Sequence, residues 1–494
     1  MRCIVPSRRA AAAAAAIMVA VARAADPPAT VNTARGGRGL DDVTTATPHC
    51  SCNKDCSLNG LCQQNGSCAC DPGWAGEDCG ILNLGTTNGD SIGAGRIYPA
   101  ASAKTSSWGG GVIFSENKFH LYVSEMSGHC GLASWATHSF IRHAVSDTVD
   151  GVYTPLETVL PAWSHNAMPW VTPEGYVSIW HIGNGTKPKR PTRQVRCFNG
   201  TTPMPPPPPP TPLPALLQGG GGDTKTNRST STSATANAPG HLRKSGAAAS
   251  AGELLQHEVA TGASSSSPGS PPTAAVPYSS TGPGGPWKMQ NITCHHPSAV
   301  GGVELVGLCT IDNPTPVSLG NGTTLLAHRA RGGFGILAAP HWAGPYRNVI
   351  DGWQLNATNI QTPEDETECE DGFLFLGQRG GIHLLCHCNG VHGYPWDDHG
   401  RHAYSEDGIT WSWSAERTFT TAFLHPDGTN TSHISRQRPQ LVFGPNRVPT
   451  QLVTGISVAS TNQPYPWQAG CHELDAVSKP CDLTCTSMQQ VLHE

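Results

Sequence analysis

Three carboxylates and a set of hydrogen-bonding side chains recur at equivalent points of this sequence. Asp312 and the pair Glu370-Asp371 each open an apolar run, and so do His165-Asn166, Arg438-Pro439 and Trp108-Gly109-Gly110. Carboxylates that face each other can give and take protons. His165, Asn166 and Arg438 can hydrogen-bond the polar groups of a ligand, and Trp108, Trp135 and Trp163 can offer it flat apolar faces. None of this works unless the fold brings five distant strand starts to one place.

The elements that would do so are visible as a repeat. Each polar start leads into a strand, a turn such as Glu-Gly or Asn-Gly, and a returning apolar strand. Examples are VIFSENKFHLYVSEM after Gly111, AMPWVTPEGYVSIWHIG after Asn166 and GFLFLGQRGGIHLLCHC after Asp371. Second hairpins are marked by AVSDTVDGVY (144–153), APHWAGPY (339–346) and AYSEDGITW (403–411). The starts are spaced 57 residues from Trp108 to His165, 58 from Asp312 to Glu370 and 68 from Glu370 to Arg438. A repeat of this length made only of strands and turns predicts an all-β chain, a five-bladed β-propeller over 100–460. The start of each inner strand then faces the central funnel.

One step is longer, 147 residues from His165 to Asp312. Residues 187–286 account for it, with the runs Pro205 to Pro210, Gly219 to Gly222 and Ser264 to Ser267. So few large apolar groups cannot offset chain entropy, so this segment is expected to be a disordered loop inserted within blade two.

Composition places the chain outside the cell. Arg2, Arg8 and Arg9 precede the apolar run Ala10 to Ala22, and Ala22-Arg23-Ala24 fits a cleavage site, so 1–24 reads as a signal peptide followed by a linker over 25–49. Its removal takes the formal charge from −5 to −9. No later run is long enough to span a membrane, and no basic footprint suits nucleic acid. Eighteen Cys and the sequons at Asn65, Asn184, Asn199, Asn227, Asn291, Asn321, Asn356 and Asn430 agree with an oxidising, glycosylating route.

Residues 50–80 form a separate module. Cys52, Cys56, Cys62, Cys68, Cys70 and Cys79 fall within 28 positions, too few to build an apolar core, so crosslinks must hold them. Cysteine counting alone leaves 15 connectivities. The Cys-x-Cys step followed by DPGWAGEDC resembles an EGF-like domain, with Gly73-Trp74 and Gly76 in place. That resemblance implies the pairs Cys52–Cys62, Cys56–Cys68 and Cys70–Cys79, with Cys50 left for a propeller cysteine or another chain. The acidic cluster of calcium-binding members is missing from Thr47-Pro48-His49-Cys50-Ser51, so no calcium is expected there.

The glycine run at 109–111, GHCGLASW (128–135) and IRHAVSDTVDGVYTP (141–155) resemble a propeller of the glycoside hydrolase family 43 type. His165-Asn166, Asp312-Asn313-Pro314, Glu370-Asp371 and HAYSEDGITW extend the likeness. It spans about 100–185 and 285–460, and more narrowly it resembles secreted relatives that carry an EGF-like module before the propeller. It implies a carbohydrate site at the axial funnel and hydrolysis of a glycosidic bond by a carboxyl pair. Working members open three inner strands with acids. Here blade one offers Trp108-Gly109-Gly110 and blade two His165-Asn166, so the usual general base is missing. Asp312, Glu370 and Asp371 remain as candidate catalytic groups, with Glu370 the acid.

Histidine and cysteine crowd 383–402, as His383, Cys386, His387, Cys388, His392, His399 and His402. The spacing fits no standard zinc site and oxidised cysteines are the expectation, so no metal is assigned. Some family relatives hold an axial calcium near a histidine, but the residues give no position for it. His402 joins Trp108, Trp135, His165, Asn166 and Arg438 as a candidate substrate contact. The segment 461–494 carries Cys471, Cys481 and Cys485 and shows no obvious closing strand. The leading expectation is a secreted glycosidase acting on an extracellular polysaccharide or glycoconjugate. The alternative is a non-catalytic carbohydrate-binding or scaffold protein that meets a protein partner through the EGF-like module.

Overall fold

The computed structural model describes residues 50–87, 95–98, 106–126, 132, 135–183, 278–297, 304–349, 357–390, 398–433, 435–457 and 484–493. The segments expected to be a signal peptide and a linker, and most of the 187–286 insertion, lie outside them, as do His392, Cys471 and Cys481.

Five antiparallel sheets follow one another along the chain. Blade one runs Ser106–Ser115, Lys118–Met126, Ser139–Ser146 and Thr154–Leu160. Its first hairpin turns on Glu116 and Asn117, both left-handed at φ 49° and 60°, a backbone twist that matches the flanking strands. Blade two is His165–Val171, Val177–Ile182, Tyr278–Ser280 and Lys288–Met289, so the end of the segment expected to be a disordered loop, from Tyr278 on, is instead part of the blade. A hairpin of Thr293–Pro297 and Glu304–Leu308 follows it, stapled by Cys294–Cys309. Blade three begins at Asp312–Ser318 and blade four at Glu366–Leu376.

Blade five is assembled from both ends of the chain. Ser435–Phe443 pairs with Pro449–Ser457, which pairs with Thr484–Gln490, which pairs with Arg96–Tyr98. The expectation that the C-terminal tail lacks a closing strand is therefore corrected. Its segment TCTSMQQ is the third strand of blade five, and the strand RIY, just before 100, is the fourth. No repeat marks either strand, because each completes a sheet begun elsewhere.

The core lies between blades. Tyr122, Ile141 and Leu160 of blade one meet Ala167, Val177 and Ile179 of blade two. Met168 and Trp180 meet Leu326 and Leu337 of blade three, and Phe334 and Ile336 meet Leu374 and Leu384 of blade four. Val442, Val453 and Met488 of blade five return to Leu121 and Val123 of blade one. Each sheet buries apolar side chains on both faces, which is why the inner strands read as continuous apolar runs rather than strict alternations.

The interface between blades four and five contains a third party. Phe375, Leu385, Phe419, Leu441 and Leu452 pack with Trp74, Cys79 and Leu82 of the N-terminal module. The module also donates and accepts at this seam. Arg379 Nε reaches Asp71 Oδ2 at 2.9 Å, Ala415 N donates to Asp78 Oδ2 at 2.6 Å, and Leu82 N donates to Thr418 O at 3.0 Å.

Within the module, Cys56–Cys68 and Cys70–Cys79 form as expected. The third pair is Cys50–Cys62, not Cys52–Cys62. Cys50 N donates to Gly66 O at 3.0 Å, which carries Cys50 alongside the Gly60–Cys62 hairpin strand. Cys52 instead caps the 3-10 turn Asn53–Cys56 and is itself disulfide-bonded. Cys50 is therefore not left over.

Candidate functional site

Every inner strand breaks register near its start. The shifts fall between Trp108 and Gly111, His165 and Met168, Asp312 and Thr315, Glu370 and Phe373, and Gln437 and Gln440. Each break contains a left-handed residue, Gly109, Asn166, Asn313, Asp371 and Arg438, with φ of 55°, 62°, 46°, 59° and 58°, and blade one adds Gly110 at φ 106°. A bulge of this kind turns one side chain out of the sheet rhythm. Glycine, asparagine and aspartate accept the conformation readily, whereas an arginine before a proline does so at a cost.

The turned side chains meet. Asn166 Nδ2 donates to Asn313 Oδ1 at 3.0 Å, and Asn313 Nδ2 donates to Asp371 Oδ1 at 2.7 Å. Arg438 closes the chain, with Nη2 on Asn313 Oδ1 at 3.1 Å and Nη1 on Asp371 Oδ1 at 2.9 Å. Blade one contributes space rather than a side chain. A Cβ on Gly109 would lie 2.8 Å from Arg438 Cβ, so glycine there lets the arginine through. Four blades are thus tied by one buried polar network.

On blades three and four the residues one step before the bulge, Asp312 and Glu370, form a second, more accessible tier with Arg329 and Glu368. Glu370 Oε2 accepts from Arg329 Nη1 at 2.7 Å, and Arg329 Nη2 also binds Glu368. Side chains of Arg329, Glu370 and Glu368 are 21%, 22% and 47% exposed, and Asp312 beside them is half-buried. Below them His387 is fully buried, with Nδ1 3.5 Å from Asp371 Oδ2 and Nε2 3.7 Å from Glu370 Oε1. Neither ring nitrogen has a hydrogen-bond partner.

Burial sets the protonation of this site. It pushes Glu370 up from the usual carboxylate range, helped by the neighbouring Asp371 charge and opposed by Arg329. Asp371 is raised by burial too, against the pull of Arg438. Burial brings His387 down to about 4 and holds His165 well below its ordinary value, so both rings are neutral at pH 7.

The predicted site residues divide into three groups. Asp312 and Glu370 share the accessible tier, and Asp371, Asn166 and Arg438 share the buried network. Trp135 is half-buried with its ring 5.4 Å from His165, which hydrogen-bonds Ser139 Oγ at 2.6 Å. Two predicted contacts are corrected. Trp108 is 3% exposed and packs on Met126 and Gly455, because the blade-one start turns its indole into the blade wall. His402 lies mid-strand in blade four, paired with His383 at 2.9 Å, with its ring tilted against that of Trp74 at 4.9 Å between centroids. It serves the seam with the EGF-like module, not the funnel. Trp163 is buried as well.

Several site residues escaped the sequence reading. Gln437, not Arg438, is the positional counterpart of Glu370, and its Nε2 donates to Asp398 Oδ2 at 2.8 Å. Asp398 is 2% exposed, and burial raises its carboxyl well above the usual range. Moving the blade-five alignment back by one residue would have found Gln437. Arg329, at the end of the second strand of blade three, left no signal because arginine there reads as an ordinary strand end.

Comparisons with known proteins give the following. The Teneurin-like EGF domain family matches residues 52–81. No curated protein sequence matches the chain. Among solved structures, it is similar to a family 117 glycoside hydrolase from the marine bacterium Zobellia galactanivorans, at 11% identity over 83% of this chain and 90% of that one, TM-score 0.39. It is also similar to the catalytic domain of a Coprinopsis cinerea GH62 alpha-L-arabinofuranosidase, at 8% identity over 85% and 97%, TM-score 0.38. A putative glycosidase from Bacteroides thetaiotaomicron matches at 9% identity over 83% and 96%, TM-score 0.40.

Proposed function

We propose that the protein is secreted and recognises an extracellular carbohydrate at the axial funnel, by hydrogen bonding rather than by a hydrolytic carboxyl pair. The observation that carries this reading is the two-tier arrangement. A connected network of Asn166, Asn313, Asp371 and Arg438 supports a more accessible tier of Arg329, Asp312, Glu368 and Glu370. Planar polar groups fixed in advance bind hydroxyls without losing side-chain entropy on contact. Trp135, half-buried beside His165, supplies an apolar face near the same level.

Two-carboxyl hydrolysis fits the same residues less well. Blade one opens with Trp108 and Gly109, and Asp371 is committed to Arg438. The hydrolytic reading keeps one observation in its favour: Glu370 is partly exposed with a raised pKa, as a general acid requires, and Asp312 stands on the neighbouring blade.

Binding and sugar release, measured on one panel of plant, algal and microbial polysaccharides, separate the two. Recognition predicts binding without release, weakened about tenfold or more in Arg329→Gln. Release by the wild type, abolished in Glu370→Gln, would establish the hydrolase. No binding by folded protein would remove the carbohydrate reading.

A further inference from the structure

Two histidines sit where the EGF-like module meets the propeller. His383 and His402 lie on neighbouring strands of blade four, Ile382–Gly390 and His399–Ser405, and are fully buried. One hydrogen bond joins His383 Nδ1 to His402 Nε2 at 2.9 Å. The outer nitrogens, His383 Nε2 and His402 Nδ1, have no hydrogen-bond partner. Phe375 stacks on His383 at 5.1 Å, and Trp74 of the module tilts against His402 at 4.9 Å. A Cβ on Gly381 would lie 3.0 Å from His383 Nε2 and 3.1 Å from Leu58 of the module, so the outer edge of His383 also faces the seam.

Proton counting limits what this pair can hold. Two neutral imidazoles carry two ring protons, one in the shared hydrogen bond and one on an outer nitrogen. A third proton would set a cation among aromatic and aliphatic groups, with no acceptor for either outer N–H, the costly case for a buried charge. Burial lowers both rings, and the charge of His383 lowers His402 further. The other charges of the seam are engaged elsewhere. Asp71 is bound to Arg379, Asp78 accepts from Ala415 N and acts with Asp55 on Tyr404, and Glu416 lies beside Gly76. Further along the same strand His387 is buried and neutral at pH 7, and blade five brings Leu441, Leu452 and Phe443.

We propose that this pair makes the seam a proton-sensitive latch: the EGF-like module stays docked while both rings are neutral, and acidification favours an opening that wets the pair and frees Trp74 and Leu82. The open seam takes up protons near the ordinary imidazole value of about 6.5, and the closed seam does not. Each pH unit below that value raises the ratio of open to closed by up to about tenfold for one ring and about a hundredfold for two. The opening is local, so it coexists with a single melting transition at neutral pH.

Hydrogen exchange of the full chain tests this. Leu82 N donates to Thr418 O across the seam at 3.0 Å, so a peptide containing Leu82 reports the opening, and Gly333–Ala339 of blade three is the reference. With intrinsic exchange rates corrected for pH, protection at Leu82 should fall at least about tenfold from pH 7.5 to 5.5, while the reference falls less than about threefold. Ordinary carboxylates stay charged over this range and do not supply the change. The double variant His383→Leu, His402→Leu removes both halves of the shared hydrogen bond, and its fall at Leu82 should shrink below about threefold. His383→Gln, the milder change, should lose about half of the fall on a logarithmic scale and serves if the double variant does not fold. Flat protection at Leu82 in the wild type, or a fall parallel to the reference, would overturn the proposal. So would an undiminished fall in the folded variants.

Discussion

At the residue scale the molecule turns on Arg438. It is left-handed before a proline, buried, and held by Asp371 and Asn313. Replacing it with Met relieves some backbone cost but leaves the Asp371 carboxyl buried without its cation. The penalty for orphaning one member of a buried pair is about 3–5 kcal/mol. Arg438→Met should therefore lose about that much in urea denaturation, and Asp371→Asn in the same background should restore part of it. A loss below about 1 kcal/mol would show that the pair is not the tie between blades. A second residue-scale prediction concerns pH. Burial lowers His383 to about 3, against an unfolded value near 6.5. The unfolded chain therefore binds the extra proton first, and this histidine withdraws stability as pH falls from about 6.5 toward 3, by about 1.4 kcal/mol per pH unit. The raised carboxyls Glu370 and Asp398 act in the opposite sense, but they are common to wild type and variant. His383→Gln should show a flatter loss of stability between pH 6 and 4 than the wild type, and parallel curves would contradict the assignment. Of this residue-level picture the sequence displayed the polar strand starts, because they interrupt apolar runs. It could not display which member of each pair turns inward. Glu370 and Asp371 are adjacent and chemically alike, and only the bulge separates one into the accessible tier and the other into the buried network.

At the element scale the EGF-like module is part of the propeller wall. Trp74 is 4% exposed, in tilted ring contact with His402 and packed into the core between blades four and five. Trp74→Ala should destabilise the whole propeller by about 3–5 kcal/mol, rather than loosening the module alone. Calorimetry checks this: a single transition shifted downward supports the docked module, and an unchanged propeller transition contradicts it. The module's outline was legible from its cysteine spacing, but its pairing was not. Cys50 and Cys52 lie two residues apart, and both can reach the Gly60–Cys62 hairpin. The Cys50 N to Gly66 O hydrogen bond decides between them, and no spacing rule contains it. Peptide mapping under non-reducing conditions should recover Cys50 linked to Cys62. Recovery of Cys52–Cys62 would reverse the correction.

At the scale of the whole molecule, the ring is closed by strands drawn from both sides of the repeat. Thr484–Gln490 pairs on one side with Pro449–Ser457 and on the other with Arg96–Tyr98. Removing residues 484–494 would bare a long strand edge and open the core between blades five and one. Such a truncation should aggregate or unfold noncooperatively, and a monomeric, cooperatively melting product would contradict the closure. The five-blade architecture was readable because each blade repeats one phrase. The closure was not, because pairing across almost the whole chain leaves no local pattern. The central claim is that the polar tier around Arg329 is where a carbohydrate binds. A crystal structure of the protein with a neutral oligosaccharide tests it most directly. The account predicts the sugar in the funnel, with hydroxyls on Arg329, Asp312 or Glu370. A sugar bound on the EGF-like module or the outer blade faces, with the funnel empty, would contradict it.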